Sequence, residues 1–303
     1  MERLQKIDKI ESESLKEKNI LFHVLREDKI HPFVSGNKYR KLKYNVLEAK
    51  KLEKRSLLTF GGAFSNHIAS VATAGKLNNI ETIGVIRGEE LSVSVQDNPT
   101  LSFALSQGMK LHFISREDYK KKEDTLFIND LKQRFGDFYL LPEGGTNELA
   151  VKGCEEILTN LPENYEYVCV PVGTGGTIAG LIKASSINQE ILGFSALNGT
   201  FQSSEIEKYT SKSNYKIIDT YNFGGYAKID AQLIRFINNY KVQTNIPLDP
   251  IYTGKMMYGI YDLISRNYFT PNSRILAIHT GGLQGIEGMN IRLQKKGLPQ
   301  ITI

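Results

Sequence analysis

At 303 residues, with 41% hydrophobic and 23% charged residues, the chain is long enough to bury one large or two medium cores, and it is neither disordered nor fibrous. Its net charge of +5 lies in the first 55 residues, where 15 lysines and arginines face 9 acids; acids so mixed with the bases argue against a nucleic-acid partner and leave ordinary surface or attraction for small anions. Two cysteines are too few for a disulfide scaffold, the five histidines show no ligand spacing and so imply no metal site, and no apolar run approaches the roughly 20 residues of a membrane span.

The opening Met1-Glu2-Arg3-Leu4-Gln5-Lys6 mixes charges and leads into no apolar segment, unlike a secretory signal, and with the sparse cysteines it predicts a soluble, cytoplasmic protein. Residues 20–26 read as a strand. The stretch Val34-Ser35-Gly36-Asn37-Lys38-Tyr39-Arg40-Lys41-Leu42 then places one lysine after a turn-forming Ser-Gly-Asn at the start of a helical pattern, with Tyr39, Leu42, Val46 and Ala49 on one face. At a helix entrance the unpaired N–H groups and the positive end of the dipole disfavour an ammonium, and Arg40 and Lys41 add like charge. Lys38 is therefore pushed toward the neutral, nucleophilic form that a Schiff-base lysine needs; a solvated basic helix start is the competing reading.

A buried strand over 57–61 follows, then the turn Gly61-Gly62-Ala63-Phe64-Ser65-Asn66-His67, in which Ser65 is placed to cap a helix over 66–77. A hydroxyl with free amides at a helix N-terminus suits a carboxylate; an ordinary cap is the alternative. Strands over 82–87 and 110–115 alternate with a helix over 100–106 and a lysine-rich helix reaching Phe135. The turn Pro142-Glu143-Gly144-Gly145-Thr146-Asn147 reads as a domain crossover without chemistry, and it precedes a helix over 148–159.

Next come a strand over 167–172, the turn Gly173-Thr174-Gly175-Gly176-Thr177, a helix over 177–185 and a strand over 191–197. Three glycines and two hydroxyls at that turn let the backbone wrap a phosphate at a helix's positive end. The turn is neither a dinucleotide fingerprint nor a Walker A loop, since Ile178 stands where the third glycine would fall and no Gly-Lys-Ser/Thr closes it. A last strand over 274–278 ends in His279-Thr280-Gly281-Gly282, whose glycines admit a flat ligand and whose Thr280 offers a hydroxyl to a ring nitrogen. Regular strand-helix succession predicts an α/β fold of mostly parallel twisted sheets flanked by helices, with ligands at the carboxyl ends of the strands. A lysine fit for a Schiff base, a phosphate cup and a hydroxyl near a ring position together describe pyridoxal 5′-phosphate.

Six blocks, 35–42, 61–67, 142–145, 173–177, 249–255 and 279–282, resemble in order the 1-aminocyclopropane-1-carboxylate deaminase/D-cysteine desulfhydrase family, of the tryptophan-synthase-β-like, fold type II group of pyridoxal-phosphate enzymes. The resemblance implies two domains, a small one of 41–146 and a large cofactor-binding one of 1–40 plus 147–303, and a homodimer. It implies Lys38 as covalent cofactor anchor and proton carrier, Asn66 at the cofactor's phenolic oxygen, and Ser65 with Asn66 and His67 around the substrate carboxylate. Gly173, Thr174, Gly175, Gly176 and Thr177 would hold the phosphate, and Tyr226 and Tyr252 would flank the cofactor and the small amino-acid substrate. Thr253 and Thr280 stand where cyclopropane-opening members carry glutamate and leucine, and both match the desulfhydrase pattern. The activity so implied is β-elimination from D-cysteine, giving pyruvate, hydrogen sulfide and ammonia. The alternatives are deamination of the cyclopropane amino acid to 2-oxobutyrate and a non-catalytic pyridoxal-phosphate or small-ligand carrier.

Overall fold

The computed structural model describes residues 5–34, 36–159, 161–162, 164–199 and 201–303; Ser35, in the first block, lies outside them, as do Met1 to Leu4. Among the described residues ten strands form two sheets. The larger contains β1 (Ile7–Ile10), β2 (Leu21–Leu25), β7 (Tyr167–Val172), β8 (Glu190–Ser195), β9 (Tyr215–Ile218) and β10 (Arg274–Ile278), in the order β1-β2-β10-β7-β8-β9. The smaller contains β3 (Ser56–Gly61), β4 (Glu81–Arg87), β5 (Lys110–Ile114) and β6 (Tyr139–Leu141), in the order β5-β4-β3-β6. Every pairing is parallel except β1 with β2.

Parallel strands covered by helices on both faces must be apolar on both sides, and the central strands show this. All six residues of β3 are buried, as are five of six in β7. Pro171 sits inside β7 without cost to the ladder on one side, because β10 pairs with β7 only over Tyr167 to Cys169 and leaves Pro171 to β8 alone. The short edge strands β1 and β9 escape the sequence pattern because β1 alternates no apolar face and only four residues of each pair.

The predicted helices form with small shifts at their ends. One departure concerns the lysine-rich segment, which is a 3-10 turn over Asp118–Lys121 that precedes a helix at Thr125–Phe135. Another concerns the helix at Asn37–Lys51: Leu42, Val46 and Ala49 are buried as the spacing predicts, but Tyr39 is exposed and stacks on His31. That helix is fixed from β2. The Glu27 carboxylate just beyond the strand accepts from Arg40 Nε and Nη2, both at 2.9 Å, and all of this pair is buried. Arg40 is thus neutralised by Glu27 rather than acting as a like charge on Lys38.

Two helices pack tightly enough that side chains are excluded between them at one point. A Cβ added to Gly153, in the helix Glu148–Glu155, would lie 2.0 Å from the Arg40 carbonyl oxygen of the facing helix. Gly153→Ala should therefore force the two helices apart and destabilise the protein by about 2–3 kcal/mol, read from chemical denaturation, through overpacking of backbone on backbone. An unchanged midpoint would show that the helices do not cross so closely.

Candidate active site

Four helix N-termini meet where the parallel strands end. The helix Asn37–Lys51 approaches from the segment after β2, Asn66–Asn78 follows β3, Gly176–Ala184 follows β7, and Thr253–Ser265 starts from the segment at Asp249. The first three present N–H groups and the positive ends of their dipoles, so the space between them favours anions, whereas the start of the fourth is already capped by the Asp249 carboxylate. That space is a cavity of about 820 Å³. Of the residues singled out from sequence, Lys38, Ser65, Asn66, His67, Gly173, Thr174, Gly175, Thr177, Tyr226, Tyr252 and Thr280 line it. Gly176 and Thr253 do not.

Lys38 is the second residue of its helix and keeps part of its surface open to the cavity, with Nζ 3.3 Å from Asn37 Oδ1. Burial of the amine, aided by the charge of Lys41, lowers its pKa from 10.5 to about 7. A large fraction of the side chain is then neutral near physiological pH, as a nucleophilic amine requires. What seats Lys38 is Gly36. Its φ of +61° is in the left-handed region, and a Cβ there would fall 1.8 Å from the Thr280 carbonyl oxygen, the same oxygen that accepts from Asn37 N–H at 3.3 Å. The lysine helix is thereby seated directly on the Thr280-Gly281-Gly282 turn.

The glycine cup adjoins it. Asn37 Nδ2 donates to Thr177 Oγ1 at 2.8 Å, tying two helix entrances together. Lys41, one turn after Lys38, is buried, and its Nζ donates to Gly144 O and Thr146 Oγ1, both at 3.0 Å, and to Thr174 Oγ1 at 3.5 Å. All three acceptors are neutral, and burial lowers its pKa to about 8. An ammonium enclosed without a carboxylate, beside a glycine cup on a helix N-terminus, fits a phosphate. Gly176 contributes by lacking a side chain: a Cβ there would lie 2.8 Å from Thr146 and 3.2 Å from Lys41 Nζ. The residues present therefore fit pyridoxal phosphate. Sequence reasoning treated Lys41 only as a neighbouring charge and Pro142 to Asn147 only as a crossover; the turn in fact supplies Gly144 and Thr146 to Lys41, and Glu143 and Gly144 to the cavity wall.

Ser65 caps its helix, with Oγ accepting from Ile68 N–H at 3.3 Å, which leaves its own hydroxyl proton for a ligand. His67 lies buried beneath the turn, its Nε2 2.9 Å from Thr59 Oγ1, and burial with the Lys38 and Lys41 charges holds its pKa well below the usual value. It is a neutral histidine that supports the turn at Gly145, where a Cβ would stand 2.7 Å from its ring. Tyr252 packs against Gly173 and stands edge-on to Tyr226, ring centroids 6.4 Å apart. Burial and the neighbouring phenol raise the pKa of Tyr252 well above 10, so it is an O–H donor and not a phenolate.

Thr253, placed by the family pattern at the substrate, is instead fully buried behind Tyr252. Its Oγ1 donates to Asp249 Oδ2 at 2.7 Å, and the same carboxylate accepts from the N–H groups of Ile251, Tyr252 and Thr253. The hydroxyl is consumed in starting a helix, which a linear motif does not distinguish from one offered to a ligand. Among the described residues, no group of three or more His, Cys, Asp and Glu side chains could hold a metal ion, and no helix is long and apolar enough to cross a membrane.

The sequence of residues 6–281 matches the family model described as pyridoxal-phosphate dependent enzyme. The bifunctional D-cysteine desulfhydrase/1-aminocyclopropane-1-carboxylate deaminase of Arabidopsis thaliana, a mitochondrial protein, is 28% identical over 87% of this chain and 72% of its own length. The crystal structure of a 1-aminocyclopropane-1-carboxylate deaminase homologue superposes with a TM-score of 0.83 at 25% identity, covering 96% of this chain and 93% of that one. The processed threonine deaminase isoform 2 of Solanum lycopersicum shares the fold, with a TM-score of 0.62 at 18% identity over 89% of this chain and 77% of its own.

The two buried lysines make stability depend on pH in a definite direction. Their folded pKa values of about 7 and about 8 lie below the ordinary 10.5, so between these limits the unfolded chain binds more protons. Cofactor-free protein should thus gain stability as pH rises from about 7 toward 10.5, and Lys38→Met or Lys41→Met should flatten that rise in thermal melts. Lys41→Met should also weaken pyridoxal-phosphate binding roughly tenfold or more by spectroscopic titration, as loss of a charge-assisted contact to phosphate requires.

Proposed function

The chain belongs to the pyridoxal-phosphate-dependent enzyme family, and from that premise we propose that it catalyses β-elimination from D-cysteine, releasing pyruvate, hydrogen sulfide and ammonia. The observation that carries this reading is a lysine amine with a pKa of about 7, lining the same cavity as a glycine cup and, one helical turn away, a second buried lysine. Lys38 would be the covalent anchor; Gly173 to Thr177 with Lys41 would hold the phosphate, Asn66 the phenolic oxygen, and Thr280 the ring nitrogen. The cofactor, when bound, supplies the sink for the electron pair left on the substrate's α-carbon.

The protein's own groups choose and time the bond that breaks. Ser65 and the amides at the head of the Asn66–Asn78 helix orient the substrate carboxylate. Lys38, as a free neutral amine, would be the base that accepts the proton of the substrate's α-carbon. The β-carbon–sulfur bond then breaks with its electron pair going to sulfur, and Tyr252 and Tyr226, kept protonated, offer O–H donors on that side. Net addition of water yields the keto acid and ammonia.

Two positions support elimination of a good leaving group over cyclopropane opening. Where cyclopropane-opening members carry glutamate this chain has Thr253, whose hydroxyl is held by Asp249, so that position offers no carboxylate to favour a protonated ring nitrogen; the weaker sink suffices when thiolate departs readily, and opening a ring without an α-hydrogen demands more. Where those members carry leucine, Thr280 lines the cavity with a hydroxyl. Deamination of 1-aminocyclopropane-1-carboxylate is the second reading, favoured by the names of the relatives. The cleft is read as lying between a small domain of 41–146 and a large one of 1–40 plus 147–303, in a homodimer.

Purified wild-type protein should show the visible absorption of a lysine-bound cofactor, which Lys38→Ala should abolish together with turnover. Assay of both substrates should give pyruvate and sulfide from D-cysteine in excess of 2-oxobutyrate from the cyclopropane amino acid. The opposite ratio would replace the first reading with the second.

A further inference from the structure

We propose that Arg87 forms a second anion subsite in the cavity, taking a negatively charged group carried beyond the β-carbon of the substrate; this rests on the amino-acid elimination proposed above and specifies its substrate class. Arg87 ends β4, whose Ile86 pairs with Gly61 of β3, and so it stands over the turn from Gly61 to Asn66. A Cβ on Gly62 would lie 3.6 Å from Arg87 Nη2, and the side chain lines the cavity.

Arg87 is exposed at the end of its strand, and its surroundings position it without pairing its charge. The guanidinium lies over the Tyr119 ring, 5.5 Å from the centroid, and the Tyr119 hydroxyl is held by Glu143 Oε1 at 2.8 Å. Glu143 in turn meets Lys122 Nζ at 3.5 Å, so its charge is balanced away from Arg87. Among the described residues Arg87 has no carboxylate partner, whereas Arg116, also on the cavity wall, is paired with Glu90. A guanidinium stacked on an aromatic face keeps its N–H fork free for planar, bidentate recognition of an anion.

The α-carboxylate has its own receptor in the helix N-terminus at Ser65, which leaves Arg87 for a different group. The cavity's 820 Å³ is also in the upper part of the roughly 300–1,000 Å³ range of small-molecule sites, and so has room beyond a cofactor with a three-carbon amino acid. The ligand class is therefore a β-substituted amino acid whose substituent ends in a carboxylate, sulfonate or phosphate. D-Cysteine fits the same site without using Arg87.

The test compares holoenzyme and its Arg87→Met and Arg87→Lys variants on D-cysteine and on S-sulfo-D-cysteine, whose leaving group bears a second anion. Arg87→Met should lower kcat/KM for the anionic substrate about tenfold and change it far less for D-cysteine, with Lys restoring part of the loss. Equal losses on both substrates would assign Arg87 to the shared α-carboxylate, and no loss on either would remove it from recognition; each overturns the proposal. Should wild-type protein turn over neither compound, elimination itself fails. Arg87 is then judged by competition binding, followed through the cofactor's absorbance, in which Arg87→Met should weaken an aspartate-like dicarboxylate about tenfold more than alanine; equal weakening would overturn it.

Discussion

Two lysines one helical turn apart, both driven toward neutrality by burial and neither paired with a carboxylate among the described residues, impose the constraint on which this structure turns. Enclosing an ammonium costs free energy unless an anion or a covalent bond compensates. Lys41 spends its donors on Gly144, Thr146 and Thr174, which draws the Pro142 to Asn147 turn and the glycine cup to one point. Lys38 is left with a single long contact to Asn37. The uncompensated charge of the first is what a phosphate would balance, and the second is what an aldehyde would complete.

Holding these amines in place requires rigid support, and it comes from the segment after β2. Glu27 grips Arg40 on the lysine helix through two hydrogen bonds, while the next residue, Asp28, is gripped by Arg26 and lies 3.4 Å from His279 Nδ1, beside Thr280. A buried ion pair adds little net stability against its desolvation cost, but breaking one leaves a buried charge unpaired. These pairs therefore act by fixing geometry: the same short segment sets both the lysine helix and the loop that meets it across Gly36.

Much of this was legible in the sequence because its signals are local. Buried parallel strands are continuous apolar runs, and glycines mark the turns between strand and helix, so the sheets' central strands, the turn at 173–177 and the place of Lys38 at a helix entrance could be read without coordinates. The helices at Ala231–Thr244 and Gly285–Lys295 carry weaker signals: the first is entered from an Asp230 cap, and the second, although it follows the Gly281-Gly282 turn, has Gly285 and Gly288 in its first turn, which blur a helical pattern.

The sequence by itself determined the α/β alternation, the glycine turns and the one lysine at a helix entrance, because backbone permissiveness and hydrophobic period are properties of neighbouring residues. Only the tertiary structure decided which hydroxyls and charges face the cavity. Thr253 and Thr280 are the same residue type at comparable turns, yet Asp249 captures the first while the second lines the site. Arg40 and Lys41 are adjacent cations, yet one is cancelled by Glu27 and the other waits for an anion. A hydrogen bond or ion pair goes to whichever partner the fold brings within about 3 Å, whether that partner is 4 residues away, as Asp249 is from Thr253, or 103, as Gly144 is from Lys41.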